Sequence, residues 1–200
     1  MALREAQHVI ARECGFPDWQ ALREELGARR EQAAPRRLVV DAVDYAPDQF
    51  VPVQILQVDL RVSPQGHAAA YILLGDGDGR GLIIACGESR GMVLELVLSG
   101  RVPPRPPTHE LLDACLRHLG CAVRSVVVHA LRESTFHAHV HLGTPSGDLT
   151  VDARPSDGLI LAARQGAPIQ VTRAVMNQAG HPLSEAAETI ARMRPLDEET

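Results

Sequence analysis

The sequence predicts an α+β fold, in which a mixed or antiparallel sheet of strand meanders packs with helices and a small N-terminal helical hairpin precedes it. Three observations carry that expectation. The apolar period is helical over the first thirty or so residues and changes to two from Val51. Strands then follow one another as meanders instead of alternating strictly with helices. Gly75-Asp76-Gly77-Asp78-Gly79 is a strong turn signal between apolar runs that end at Leu74 and resume at Leu82.

In chain order, Leu3, Ala6, Val9 and Ile10 follow helical spacing until Gly15-Phe16-Pro17 breaks the pattern. Asp18 can cap a second helix from Trp19 to about Gly27 or a turn beyond, with Trp19, Leu22 and Leu26 as its apolar stripe. A charged, proline-containing connection runs from Arg29 to Arg37. Two such helices are too short to build a core alone, so residues 1–36 are expected to form an appendage and linker.

The main domain is expected over 48–181. Val53, Ile55, Val58, Leu60 and Val62, then Ala69, Tyr71 and Leu73, alternate as strands. Met92 to Leu98 suggests a helix that stops at Gly100, and Pro103 to Pro107 forms a rigid connection because proline fixes φ and lacks an N–H. A helix over Thr108 to His118 carries Leu111, Leu112, Cys115 and Leu116, with Gly120 as stop. Three strands follow, through Val123 to Val128, Phe136 to Leu142, and Leu149 to Val151, the last two joined by a turn at Ser146-Gly147-Asp148. Pro155 suits the first position of a helix that stops at Gly166. Ile169 and Val171 predict one more strand before a helix through Val175, and 182–200 reads as a C-terminal helix and tail.

The 200 residues hold 45% hydrophobic residues, enough for one sizeable core. No apolar run approaches the roughly 20 residues of a membrane-spanning helix, and the N-terminus lacks a signal peptide's apolar stretch, so a cytoplasmic protein is expected. The net charge of -5 argues against general electrostatic capture of nucleic acid, leaving only a local basic patch. Every basic residue apart from histidine is arginine, whose fork matches phosphate oxygens but equally serves surface ion pairs. Cys14, Cys86, Cys115 and Cys121 form no C-x-x-C pair, and buried thiols are the expected reading.

Two polar clusters, Arg105-Pro106-Pro107-Thr108-His109-Glu110 and Asp152-Ala153-Arg154-Pro155-Ser156-Asp157, each open a helix. Free N–H groups and the helix dipole favour anions there. The competing reading is capping, by Thr108 on its helix and by Asp157 in a first turn. His137, His139 and His141 share one strand face and can either converge on a metal or form a polar face opposite Phe136, Ala138, Val140 and Leu142.

The run Arg105 to Leu112, the run Asp152 to Asp157 and Ala167-Pro168-Ile169 resemble the signatures of the bifunctional nuclease family, over about 130 residues from Val51 to Gly180. The resemblance implies hydrolysis of DNA and RNA phosphodiesters, with nucleic acid as partner, no membrane association, and a homo-oligomer allowed. Such hydrolysis commonly uses carboxylates that hold a divalent ion, Mg or Mn. Asp152 and Asp157 are then the metal candidates, His109, Asp152, Asp157 and Glu88 the catalytic ones, and Arg105, Thr108, Arg154 and Ser156 the phosphate holders. Arg105, His109, Asp152, Arg154 and Asp157 are expected to share one pocket.

One departure bears on activity. The family pattern I-G-x-x-E-A becomes Cys86-Gly87-Glu88-Ser89-Arg90-Gly91, with Arg90 in place of the glutamate and Gly91 in place of the alanine. Glu88 lies about 200° around the helix from position 90, an imperfect replacement. A positive charge there would repel a divalent cation, so the alternative function is a weak or inactive binding module on the same fold. Arg90→Glu with Gly91→Ala is expected to raise metal-dependent cleavage. Gly158 replaces another alanine of the pattern, a milder change.

Overall fold

The computed structural model describes residues 17–32, 38–40, 49–62 and 66–196, with backbone alone over 26–32. The expected helix from Leu3 to Gly15 lies outside them. By contacts the chain divides into two units, Met1–Arg37 and Leu38–Thr200. In the first, helix α1 (Trp19–Gln32) starts where Asp18 Oδ1 accepts the Ala21 N–H at 2.9 Å. It passes through Gly27 and takes in the start of the expected connection. Good helix formers from Ala28 to Gln32 offset the roughly 1 kcal/mol that Gly27 costs.

The second unit holds strands β1 (Val39–Val40), β2 (Phe50–Val62), β3 (Ala68–Gly75), β4 (Arg80–Gly87), β5 (Ala122–Arg132), β6 (Thr135–Thr144), β7 (Gly147–Ala153), β8 (Ile169–Thr172) and β9 (His181–Pro182). Its helices are α2 (Glu88–Leu98), α3 (Thr108–His118), α4 (Pro155–Gln165), α5 (Arg173–Ala179) and α6 (Leu183–Ala191). The strands form one sheet in the order β1-β7-β6-β5-β8-β2-β3-β4-β9. Only the β5–β8 pair is parallel among them, which makes the fold α+β. The two-residue β1 lies in the short apolar run Leu38-Val39-Val40 and is held by pairing with Val151 and Thr150.

Alternation along β3 divides the core. Ile72 and Leu74 pack with Leu94 of α2, Leu159 and Ile160 of α4 and Met176 of α5, whereas Tyr71 and Leu73 meet Ala186 and Ile190 of α6 on the opposite face. A second cluster joins Val123, Val126, Val140 and Leu142 to Leu161 and Ala162 of α4. Helices α2 and α4 therefore share one side of the sheet.

Both glycines that depart from the family pattern sit at these helix–sheet contacts. A Cβ on Gly91 would lie 2.0 Å from the Ala70 Cβ, and one on Gly158 would lie 2.8 Å from Val126 Cγ1. The missing methyl groups let α2 and α4 lie closer to the sheet. Gly158 is thus a tight packing position rather than a mild change.

Helix α3 turns most of its expected apolar stripe outward: Leu111 is 60% and Leu112 44% exposed and Cys115 is exposed, while Leu116 packs on the second cluster and Asp113 is fully buried. The reason is a polar lock. Asp113 accepts hydrogen bonds from Arg117, from Arg164 Nε at 3.1 Å and from Gln165 Nε2 at 2.8 Å. Gln165 Oε1 in turn accepts the Val123 N–H at 2.7 Å, tying α3 through α4 to β5. Burial pushes the Asp113 carboxyl up, but the bonds from Gln165 and Arg164 and the nearby arginine charges outweigh it and hold it below the ordinary value. The expectation of buried thiols needs correction for three of the four, since Cys86 and Cys121 are half-buried and Cys115 exposed; Cys14 lies outside the described residues.

Candidate functional site

The three helix starts that follow β4, the proline connection and β7 bring the candidate residues in from different parts of the chain. His109 is the second residue of α3 and Asp157 the third of α4. His109 Nε2 lies 3.0 Å from Asp157 Oδ1, with both side chains mostly buried, and Arg154 Nε donates to Asp157 Oδ2 at 2.6 Å. One carboxylate thus holds an imidazole with one oxygen and a guanidinium with the other.

An ionised carboxylate only accepts, so the bonded Nε2 carries the proton, and in the neutral tautomer that this bond selects Nδ1 is the basic nitrogen. Burial pushes the Asp157 carboxyl up, yet the hydrogen bonds from His109 and Arg154 and their charges prevail and keep it below the ordinary carboxylate value. Asp157 does stand in the first turn of α4, where an acid suits the helix dipole, but side-chain capping explains neither helix start. Pro107 and Arg154 occupy the cap positions, no side-chain bond caps either helix, and Thr108 is the first helical residue.

The five residues expected in one pocket are divided. His109, Arg154 and Asp157 are in contact, but Asp152 points away. Its neighbours Val151 and Ala153 pack on the α4 side of the sheet, so the side chain between them faces the other side. There it stands opposite His139 in register, and its charge acts on His129 and His139. Arg105 is exposed and Thr108 likewise. Glu88, first residue of α2, is half-buried. Ser156 is 3% exposed.

Asp152 and Asp157 consequently do not face a common point. Among the described residues no group of three or more His, Cys, Asp or Glu side chains is arranged to hold a metal. The residues present do not fit a divalent-ion site built on that pair. On the Asp152 side, His129 stacks on His139 with ring centroids 3.9 Å apart, and His141 Nδ1 lies 3.0 Å from Thr150 Oγ1. This is a polar face of the sheet opposite the core, as the alternation of Ala138, Val140 and Leu142 implies.

Beside the Asp157 cluster lies a cavity of about 330 Å³ lined by Cys86 and Arg90 from the β4–α2 junction, Phe136 from β6, and Arg154 and Ser156. Burial pushes the Cys86 thiol up, against the opposing charge and hydrogen bond of Arg90. A larger cavity of about 670 Å³ opens around Leu56, Ala163 and Pro168, but Asp76 is its one titratable side chain among the described residues. That carboxylate is bonded to the Asp78 and Arg80 N–H groups in its turn.

Sequence reasoning overlooked Asp113, which fixes α3 to α4 one helical turn after His109. The available signal was the polar pair His109 and Asp113, spaced i, i+4 on the face that also carries Leu116 and opposite Leu111 and Cys115.

Residues 72–184 match the sequence profile of the bifunctional nuclease domain. Two uncharacterized proteins of Mycobacterium tuberculosis strains are each 36% identical to the chain over 128 residues, covering 64% of this chain and 76% of the relative. Bifunctional nuclease 1 of Oryza sativa subsp. japonica is 27% identical over 112 residues, covering 54% of this chain and 34% of the rice protein. The profile spans both polar motifs, the β4–α2 junction with Arg90, and every helix from α2 to α5, and on that ground the chain belongs to the bifunctional nuclease domain family.

Proposed function

We propose that the chain is a cytoplasmic hydrolase of phosphodiester bonds in DNA or RNA, with His109, Asp157 and Arg154 as its working group. The observation that carries this reading is the Asp157 carboxylate, which bonds His109 and Arg154 at once. Asp157 orients the imidazole and stabilises it when it becomes cationic; His109 Nδ1 takes a proton from the attacking water; Arg154 offsets charge on the non-bridging phosphate oxygens. The P–O bond to the leaving oxygen breaks as the new bond from water forms, and the proton passes to that oxygen. No step is routed through Mg or Mn, because Asp152 and Asp157 face different sides of the sheet.

The second reading, a nucleic-acid or protein binding module without catalysis, is favoured by Arg90 at the position of the family glutamate. A purified-protein assay on DNA and RNA in EDTA, Mg²⁺ or Mn²⁺ separates the two. The expected result is cleavage that falls at least a hundredfold in His109→Gln and in Asp157→Asn, the scale of a lost general base. A parent protein with no cleavage under any of the three conditions would sink the hydrolase reading. Self-association is a further expectation, and sedimentation velocity on the full chain tests it; a single monomeric species would count against it.

A further inference from the structure

The geometry points to a phosphate-ester site formed by Arg90 together with Arg154, of a size to hold a mononucleotide and independent of any metal. It rests on the reading of the Asp157 cluster as phosphate-handling but not on hydrolysis. Both arginines line the same cavity of about 330 Å³. Arg154 spends only its Nε on Asp157, and 66% of its side chain remains exposed, so its two terminal nitrogens are left for a ligand. Arg90 folds back over Gly87, where a Cβ would meet its terminal nitrogen at 3.2 Å. Its buried Nε has no hydrogen-bond partner among the described residues. Two arginines line one cavity, and the Asp157 carboxylate bonds only Arg154 of the two, which leaves positive charge that an anion would neutralise.

The remaining lining sets the size and class of ligand. Phe136 and Ile83 supply apolar surface beside the arginines, and Ser134 and Ser156 supply hydroxyl-bearing residues. A phosphate on the arginine pair leaves room for the attached sugar or base against Phe136, in a cavity at the small end of ligand-pocket volumes. Glu133 and Ser134, at the turn that forms the rim, both have positive φ, 46° and 62°. They are the two central residues of the tight β5–β6 hairpin, whose primed turn needs positive φ at both positions, so the rim is fixed by the hairpin itself. Arg90, which on metal chemistry would be a defect, becomes a ligand-binding residue on this arrangement.

The test is calorimetric titration of the full chain, in EDTA, with inorganic phosphate, thymidine 5′-monophosphate and thymidine. The expected order is monophosphate tightest, phosphate weaker, thymidine without measurable binding. Arg90→Gln and, independently, the exposed Arg154→Gln should each weaken monophosphate binding tenfold or more, with the thermal transition retained in the Arg154 variant. Equal affinity of Arg90→Gln and parent, or no binding of either phosphate by the parent, overturns the proposal. Arg90-dependent binding in a protein that cleaves nothing supports this site and removes the hydrolase reading; cleavage with Arg90-independent binding does the reverse.

Discussion

Gly91→Ala is expected to destabilise the protein, although alanine is the better helix former and the family pattern carries alanine there. The substitution gains about 1 kcal/mol of helix propensity in α2. The added Cβ would stand 2.0 Å from the Ala70 Cβ, whereas carbon atoms in contact lie about 3.5–4.0 Å apart. Ala70 is fully buried on β3 and Leu94 fully buried on α2, so neither element can move freely. Overpacking of this kind costs about 1–3 kcal/mol and occasionally more, which puts the net loss at about 0–2 kcal/mol, with the upper half expected because neither side of the contact is a flexible side-chain end. For a domain of this size that is a drop of up to roughly 8 °C in the thermal midpoint, readable by calorimetry or circular dichroism. Ala70→Gly combined with Gly91→Ala moves the methyl group across the contact and should recover part of the loss, which a double-mutant cycle measures. A raised midpoint in the single variant would refute the packing argument. The consequence for function is direct, because Arg90 precedes this contact: Gly91→Ala lifts α2 and displaces Arg90, so the paired Arg90→Glu, Gly91→Ala variant confounds two effects.

Arg90→Glu alone is the cleaner experiment, and it should lower cleavage tenfold or more by taking a phosphate-holding cation from the cavity; an increase seen only with Mg²⁺ or Mn²⁺ would return the position to metal chemistry. Ser134→Gly should stabilise the protein by about 0.5–1 kcal/mol, the relief of about 1–2 kcal/mol from the positive φ that serine holds at 62° less the roughly 0.4–1 kcal/mol that glycine's unfolded-state freedom costs; unchanged or reduced stability in urea unfolding would contradict that turn. Stability should also fall as pH drops from about 7 to 5. Burial, with the charges of His139, His137 and Arg132 and against that of Asp152, pushes His129 down to about 4, and His139 and His141 are lowered as well. In the unfolded chain these imidazoles take up protons near pH 6.5, so the unfolded state binds more protons between about 6.5 and 4 and is favoured there. His129→Gln should flatten the dependence, and a parent whose stability is constant across this window would disprove the buried neutral stack. Acidification further down through the ordinary carboxylate range removes a second contribution, because Asp157 is held ionised in the fold.

Local chemistry was legible in the residues themselves. Asp18 as a cap, Pro155 and Gly166 as the ends of α4, the period-two runs of β3, β5 and β6, and the Gly-Asp repeat between β3 and β4 all depend on neighbours a few residues away, and the chain displays them directly. The two polar motifs were equally visible as helix openings. What they do there was not. Whether Asp152 or Asp157 meets His109 depends on which side of the sheet each faces, and the pleat that separates them is set by the packing of Val151 and Ala153 on α4. The outward leucines of α3 follow from a buried Asp113 that Arg164 and Gln165 stabilise from 51 and 52 residues away, a compensation no local period can reveal. Gly91 and Gly158 look like losses of helix propensity in the sequence; in three dimensions they are the places where two helices come closest to the sheet. The amino-acid order determined the elements and the family pattern, and only the tertiary structure decided which side chains share a site, because contact across 48 to 52 residues is settled by packing and not by spacing.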